Sequence, residues 1–193
     1  ASAYLSSVGG GSNNTASGVG SSVHAGAKNT ASGQGSSISG GYQNAASDIH
    51  TSISGGRDNT ANDDYASVSG GMENIASGYA SSVLGGHSNT ASGAYASVSG
   101  GSSNKAWAHY SVVVGGQLNT SGDDSGTDPA VGMYSSILGG SGNDATLDYA
   151  SVSGGSDNVA SGLYSSVSGG VENEAGGESS TVGGGANGSL SGG

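Results

Sequence analysis

A β-branched residue returns along this chain at a fixed interval: Val8, Val23, Ile38, Ile53, Val68, Val83, Val98, Val113, Ile137, Val152, Val167 and Val182. Neighbouring members stand 15 residues apart, except for one step of 24 between Val113 and Ile137. With this residue as position 1, the unit reads V-x-G-G-x-x-N-x-A-S-G-x-Y-S-S, as in Val152 to Ser166. Position 4 is Gly in all twelve units, position 3 is Gly in all but the second, which has Ala25, and position 7 is Asn in all but the last. Fixity of this kind marks a repeat architecture, in which each unit is one supersecondary element stacked on its neighbours.

Fifteen residues are too few for a pair of helices, whereas two five-residue strands and two tight turns fit, with the Gly pair supplying positive φ. The unit therefore predicts one coil of a parallel β-solenoid, and the chain an all-β fold. Twelve coils stacked at about 4.8 Å predict a rod on the order of 55 Å long. Strand alternation then assigns the faces. Position 6 carries Lys28, Asp58, Glu73, Asp157 and Glu172, so it faces water, and positions 7 and 9 point inward. In the other strand position 1 points inward with the small residue at position 14 and Gly at position 3. The twelve β-branched residues are thus the expected core of a flattened roll. The whole of 1–193 reads as a single repeat domain with an insertion at about 120–133 and a frayed last coil at about 182–193.

Charge sharpens this picture. No Asp, Glu, Lys or Arg stands at positions 13, 14, 15, 1, 2, 3, 4, 7 or 9 of any unit. Like charges repeated one rung apart would repel, which accounts for the inward positions. The outward face expected of positions 13, 15 and 2 is free of charge as well. It carries Tyr65, Tyr95, Tyr110, Tyr134, Tyr149 and Tyr164 at position 13, Ser at most of position 15, and Leu84, Val114 and Leu138 at position 2. One Val and one Ala per coil bury little apolar surface against the entropy of ordering fifteen residues. Association through this Tyr/Ser/Leu face is the expected remedy.

The recurrent S-V-x-G-G-x-x-N-x-A-S-G, present at Ser67 to Gly78, Ser82 to Gly93 and Ser151 to Gly162, resembles the head repeat of trimeric autotransporter adhesins, the YadA-like head. The resemblance covers essentially the whole chain. It implies a left-handed parallel β-roll, assembled as a homotrimer and displayed on a stalk above an outer-membrane β-barrel anchor. The function it implies is attachment of a bacterial cell surface to host extracellular matrix or host-cell surface molecules, a role in virulence that needs no cofactor. Neither stalk nor C-terminal anchor lies in this sequence, so any membrane association is expected to run through that anchor.

Composition excludes several other classes. Three basic residues, Lys28, Arg57 and Lys105, against fourteen acidic ones give a net charge of −11. The phosphate neutralisation that nucleic-acid binding requires is missing, and anionic membranes are disfavoured. With no Cys there is no disulfide framework, Cys-based zinc site or Cys nucleophile. No apolar run reaches the roughly 20 residues of a membrane helix, and no basic and apolar signal segment opens the sequence. If the protein is exported, its address is expected outside this sequence.

The nine-residue insertion lies within Thr120 to Met133, and a polar loop on a regular scaffold is the natural place for specific contact. Asp123, Asp124, Ser125, Thr127 and Asp128 are the candidate ligand-binding residues. Their carboxylates also suggest a hard cation, but the spacing is not that of a twelve-residue calcium loop and no late Glu closes it. A binding loop, a calcium site and a plain solvated loop all remain open. The four histidines fall at four different repeat positions, His24 at 2, His87 at 5, His109 at 12 and His50 at 13, so no ligand-spaced cluster or acid–base pair is formed. No nucleophile elbow is present, and the Gly-rich stretches recur without a Lys or a following helix. A non-catalytic protein without a resident metal or cofactor is expected. Two rivals to adhesion are a structural segment of a trimeric phage or secreted fibre and an ice-binding solenoid. The second needs a regular Thr ladder, and the row of Thr15, Thr30, Thr60, Thr90 and Thr120 at position 8 is interrupted by Ala45, Ile75, Lys105, Asp144, Val159 and Glu174.

Overall fold

A computed structural model of the chain describes residues 1–123 and 128–191. It is all-β, a parallel β-solenoid of twelve coils that falls into two compact units, Ala1–Ser92 and Gly93–Gly193. In each unit every coil gives one strand to each of two parallel sheets. The first unit runs from β1 (Ser7–Val8) and β2 (Thr15–Ala16) to β11 (Ser82–Val83) and β12 (Thr90–Ala91). The second runs from β13 (Ser97–Val98) and β14 (Lys105–Ala106) to β23 (Thr181–Val182) and β24 (Ser189–Leu190). Register is one repeat per rung: Val8 pairs with Val23, and Thr30 with Ala45. Across the long step Val113 still pairs with Ile137 and Thr120 with Asp144, so the insertion leaves the rungs in register.

The strands are shorter than the sequence pattern predicts. Instead of two five-residue strands, each coil has two-residue strands at positions 15–1 and 8–9, and a bridge at position 5, as in Ser12 to Ala27 and Gln117 to Ser141. Left-handed backbone causes the shortening. Among the described residues every non-Gly residue with positive φ stands at position 6 or position 13, with φ of 53–58° and 52–62° respectively. Such a residue turns its peptide over, and the hydrogen bonds reverse. The N–H groups at positions 15, 2, 5, 8 and 10 donate to the following coil, as in Ser7 to Ser21 and Thr15 to Asn29. Those at positions 6 and 13 donate to the preceding one, as in Lys28 to Ser12 and Tyr65 to Ile49. Left-handed geometry costs an L-residue roughly 1–2 kcal/mol. Satisfying the corner N–H on the coil behind offsets it, since a buried unpaired N–H costs about as much.

The interior is as narrow as expected. Val23 to Val167 in the position 1 series are fully buried, Val182 is 8% exposed and Val8 is half-buried. Opposite them lies the Ala column of position 9, from Ala16 to Ala175, broken once by Ser121, whose hydroxyl meets that of Ser135 at 2.8 Å. The Asn column of position 7 supplies the polar bonding. Asn74 donates from Nδ2 to the carbonyls of Gly70, at 2.9 Å, and Gly86, at 3.1 Å, and its Oδ1 accepts from the backbone N–H of Asn89 at 3.0 Å. One side chain therefore closes the turn of its own coil and ties it to the next, which explains why position 7 is so nearly invariant.

The Gly pair divides into a required and a permissive member. Position 4 has φ near 88° at Gly71, and a Cβ there would overlap the Gly86 carbonyl oxygen and stand 2.6 Å from Asn74 Nδ2. Beside it, a Cβ at Gly70 would meet nothing within 4 Å. That open space is why Ala25 is tolerated at position 3.

Candidate functional site

Three surface features stand out from this uniform scaffold. The first is the outward strand face. Ser at position 15 is half-buried between its neighbours, and position 2 points into solvent, leaving Leu84, Val114 and Leu138 at 56%, 45% and 60% exposure. Charges sit instead at positions 5, 6, 8, 11 and 12 and in the insertion. Some pair locally, as in Arg57 Nε to Asp58 Oδ2 at 3.3 Å and His87 Nε2 to Glu73 Oε2 at 3.5 Å.

The second is the tyrosine row. Position 13 is a left-handed corner outside the strand, so the Tyr side chains leave from the turn. In residues 93–193 the corner repeats with the same φ, and five rings stack in register: Tyr95, Tyr110, Tyr134, Tyr149 and Tyr164. Their centroids are 5.0, 4.9, 5.1 and 4.9 Å apart, with interplanar angles of 6–15°. Each ring is 44–54% exposed. In residues 1–92 His50 stacks on Tyr65, and Tyr65 meets Tyr79, a position 12 residue, edge to face.

The third is the insertion. A Cβ on Gly132 would stand 2.7 Å from the Gly122 Cα, so these two glycines meet at the base of the loop and the nine extra residues are 123–131. His109 and Asp148 hold its returning limb. The His109 N–H donates to the Pro129 carbonyl at 2.9 Å, and the His109 carbonyl accepts from Tyr134 N–H at 3.2 Å. Asp148 Oδ1 accepts from the N–H groups of Gly132 and Met133, both at 2.9 Å. Asp128 is occupied with its own turn, accepting from Ala130 N–H at 2.9 Å on Oδ1. Of the candidate binding residues, Asp123 and Asp128 lie in the loop, whereas Asp124, Ser125 and Thr127 lie outside the described residues. Trp107, at position 10 next to the loop base, has its indole Nε1 buried without a hydrogen-bond partner, and Lys105 Nζ lies 5.9 Å from its ring centroid.

Sequence reasoning missed position 12. There the side chain of one coil accepts the N–H of the coil before it: Asp64 Oδ1 from Ile49 at 3.1 Å, His109 Nδ1 from Ala94 at 3.0 Å, and Asp148 from Met133. The signal was the single-coil spacing between each acceptor and its donor, which is hidden because position 12 varies freely from Val19 to Glu178. The histidines are not brought together. Among the described residues there is no group of three or more His, Cys, Asp or Glu side chains placed to hold a metal ion, and no helix long and apolar enough to cross a membrane.

No model of a known protein family matches the sequence, and no curated protein matches it.

Proposed function

We propose that this chain is a non-catalytic attachment module: a left-handed β-roll that acts as a homotrimer, the head of a bacterial surface adhesin that holds host matrix or cell-surface molecules. The observation that carries this reading is the outward strand face. It presents Leu84, Val114 and Leu138 to solvent on a ladder of small Ser side chains without a single charge, although the chain carries a net −11. Such a face is suited to packing against copies of itself, since association there buries apolar area without desolvating an ion. The head-type repeat S-V-x-G-G-x-x-N-x-A-S-G supports the choice of an adhesin. Three copies of an acidic outer surface would then be displayed together, and weak contacts would add through effective concentration.

The test is binding of the purified protein to a panel of immobilised extracellular-matrix proteins and to host cells. Saturable binding that falls when the protein is held monomeric supports the reading. Absence of binding to every member of the panel, with the trimer intact, rejects adhesion in favour of a purely structural fibre segment.

A further inference from the structure

The tyrosine row of residues 93–193 is more regular than packing of a β-roll requires. Position 13 accepts Gly20, Gly35, Ala80 and Ser179 elsewhere in the chain, so the fold does not need an aromatic ring there. Five consecutive coils nevertheless place Tyr at this corner. The ladder continues unbroken across the insertion, where Tyr110 and Tyr134 stack at 4.9 Å although they are 24 residues apart in sequence.

Stacking determines what the row offers. Each ring face inside the ladder is covered by its neighbour, so the exposed half of each side chain is an edge. Ring edges meet the face of another π-system in the edge-to-face arrangement that aromatic pairs favour. A row of edges at near-constant spacing complements one long flat face lying along the solenoid axis. A compact ligand would touch one or two rungs and gain little. Charge selects further: residues 93–193 hold nine Asp and Glu against one Lys and no Arg, and the Asp148 carboxylate stands at the corner where the insertion returns, on the N–H groups of Gly132 and Met133. An anionic ligand is disfavoured there and a cationic one is favoured.

We infer that the Tyr95–Tyr164 row is a binding site for elongated, planar aromatic cations that lie along the ladder with their faces on the ring edges. This goes beyond the attachment reading and does not rest on it, since the row occupies a turn corner and not the strand face proposed for self-association.

Thioflavin T, a long planar aromatic cation, is the probe, titrated into the full chain and followed by its emission. Saturable binding is expected. Tyr134→Ala breaks the row into two pairs and should weaken affinity about tenfold, a difference of 1.4 kcal/mol. Tyr164→Ala removes an end ring, leaves four in sequence and should weaken it less. Tyr134→Phe keeps the edge and should bind like the parent, as should Tyr65→Ala in residues 1–92. Far-UV circular dichroism checks the fold, and Tyr134→Leu, which keeps bulk at the corner, replaces the Ala variant if that one fails to fold. No saturable emission change overturns the proposal. So does equal loss in Tyr134→Phe, which would make the hydroxyls the recognition element, or a change of oligomeric state in Tyr134→Ala with emission unchanged, which would make the row a contact between copies.

Discussion

Substituting Asn74 by Asp exchanges an NH2 group for an oxygen and reverses the electrostatics of a buried ladder. The carbonyls of Gly70 and Gly86 lose their donor and face a carboxylate oxygen instead. The expected cost is about 3–5 kcal/mol, the range for an uncompensated buried charge. Burial raises the folded-state pKa of the new carboxyl above its unfolded value. The penalty is therefore absent below the unfolded value, about 3.9 for Asp, and grows as pH rises through the folded one. Urea denaturation should show Asn74→Asp closest to the parent at acid pH and furthest from it at neutral pH; a deficit independent of pH would mean that the lost donor, and not the charge, is what matters. Leu118 presents the opposite case. It is 57% exposed in a left-handed corner at φ 57°, so its side chain contributes little while its backbone is strained. Leu118→Gly should relieve roughly 1–2 kcal/mol against an entropic cost of about 0.5–1 kcal/mol. The melting temperature is expected to rise, and a fall would show that this corner is not left-handed in solution. These corners were only partly legible in the sequence. Asn13, Asp58, Gly142, Asp157 and Asn187 at position 6 and Gly20 and Gly35 at position 13 are residues that favour positive φ, but Lys, Gln, Glu and Tyr at the same places hid the pattern.

At the scale of the coil, the period and the inward columns were readable because stacking allows one kind of residue at each buried position. Strand length was not readable. The bridging position 5 takes Ser12, Tyr42, Arg57, Met72 and Val171 without preference, since its backbone pairs while its side chain stays in or near solvent, and so it reads as turn. The insertion was legible in its place and length, but its anchors were not, because His109 and Asp148 act through backbone groups of other coils. The meeting of Gly122 and Gly132 makes a specific prediction. Deleting Asp123–Val131 restores a 15-residue step from Val113 to the following Ile and removes the bond from His109 N–H to Pro129. Loop length itself contributes only fractions of a kcal/mol to closure entropy. The deletion should therefore melt cooperatively within about 1 kcal/mol of the parent, as read by calorimetry. If binding to matrix proteins or cells is lost while melting is preserved, the loop is the recognition element; loss of cooperative melting would instead make it part of the scaffold. Trp107, the sole Trp of the chain, stands at the loop base, and its fluorescence reports the deletion directly.

At the scale of the molecule, a chain with a net charge of −11 repels copies of itself unless they meet where charge is missing. The strand face of positions 15 and 2 is such a place, and its position 2 side chains Leu84 and Leu138 are among the most exposed apolar groups of the chain. The expected species in sedimentation equilibrium is a trimer of the 18.0 kDa chain. A stable, folded species at the monomer mass would remove the basis for the assembly. Placing Asp at both Leu84 and Leu138 would set carboxylates on the face proposed for self-association, and burial of each unpaired charge there is costly enough to dissociate a trimer. Glu73→Lys, at the solvent corner of position 6, changes charge by the same kind of step on the other side of the coil and should leave the mass unchanged. Because Glu73→Lys lowers the net negative charge whereas the double Asp variant raises it, salt is what separates repulsion from contact. If added salt restores the trimer in the Leu84→Asp, Leu138→Asp variant, long-range repulsion was responsible; if it does not, the leucines lie in the contact. Dissociation by Glu73→Lys with the double variant still trimeric would move the contact to the position 6 corner and leave the leucine face free for a partner.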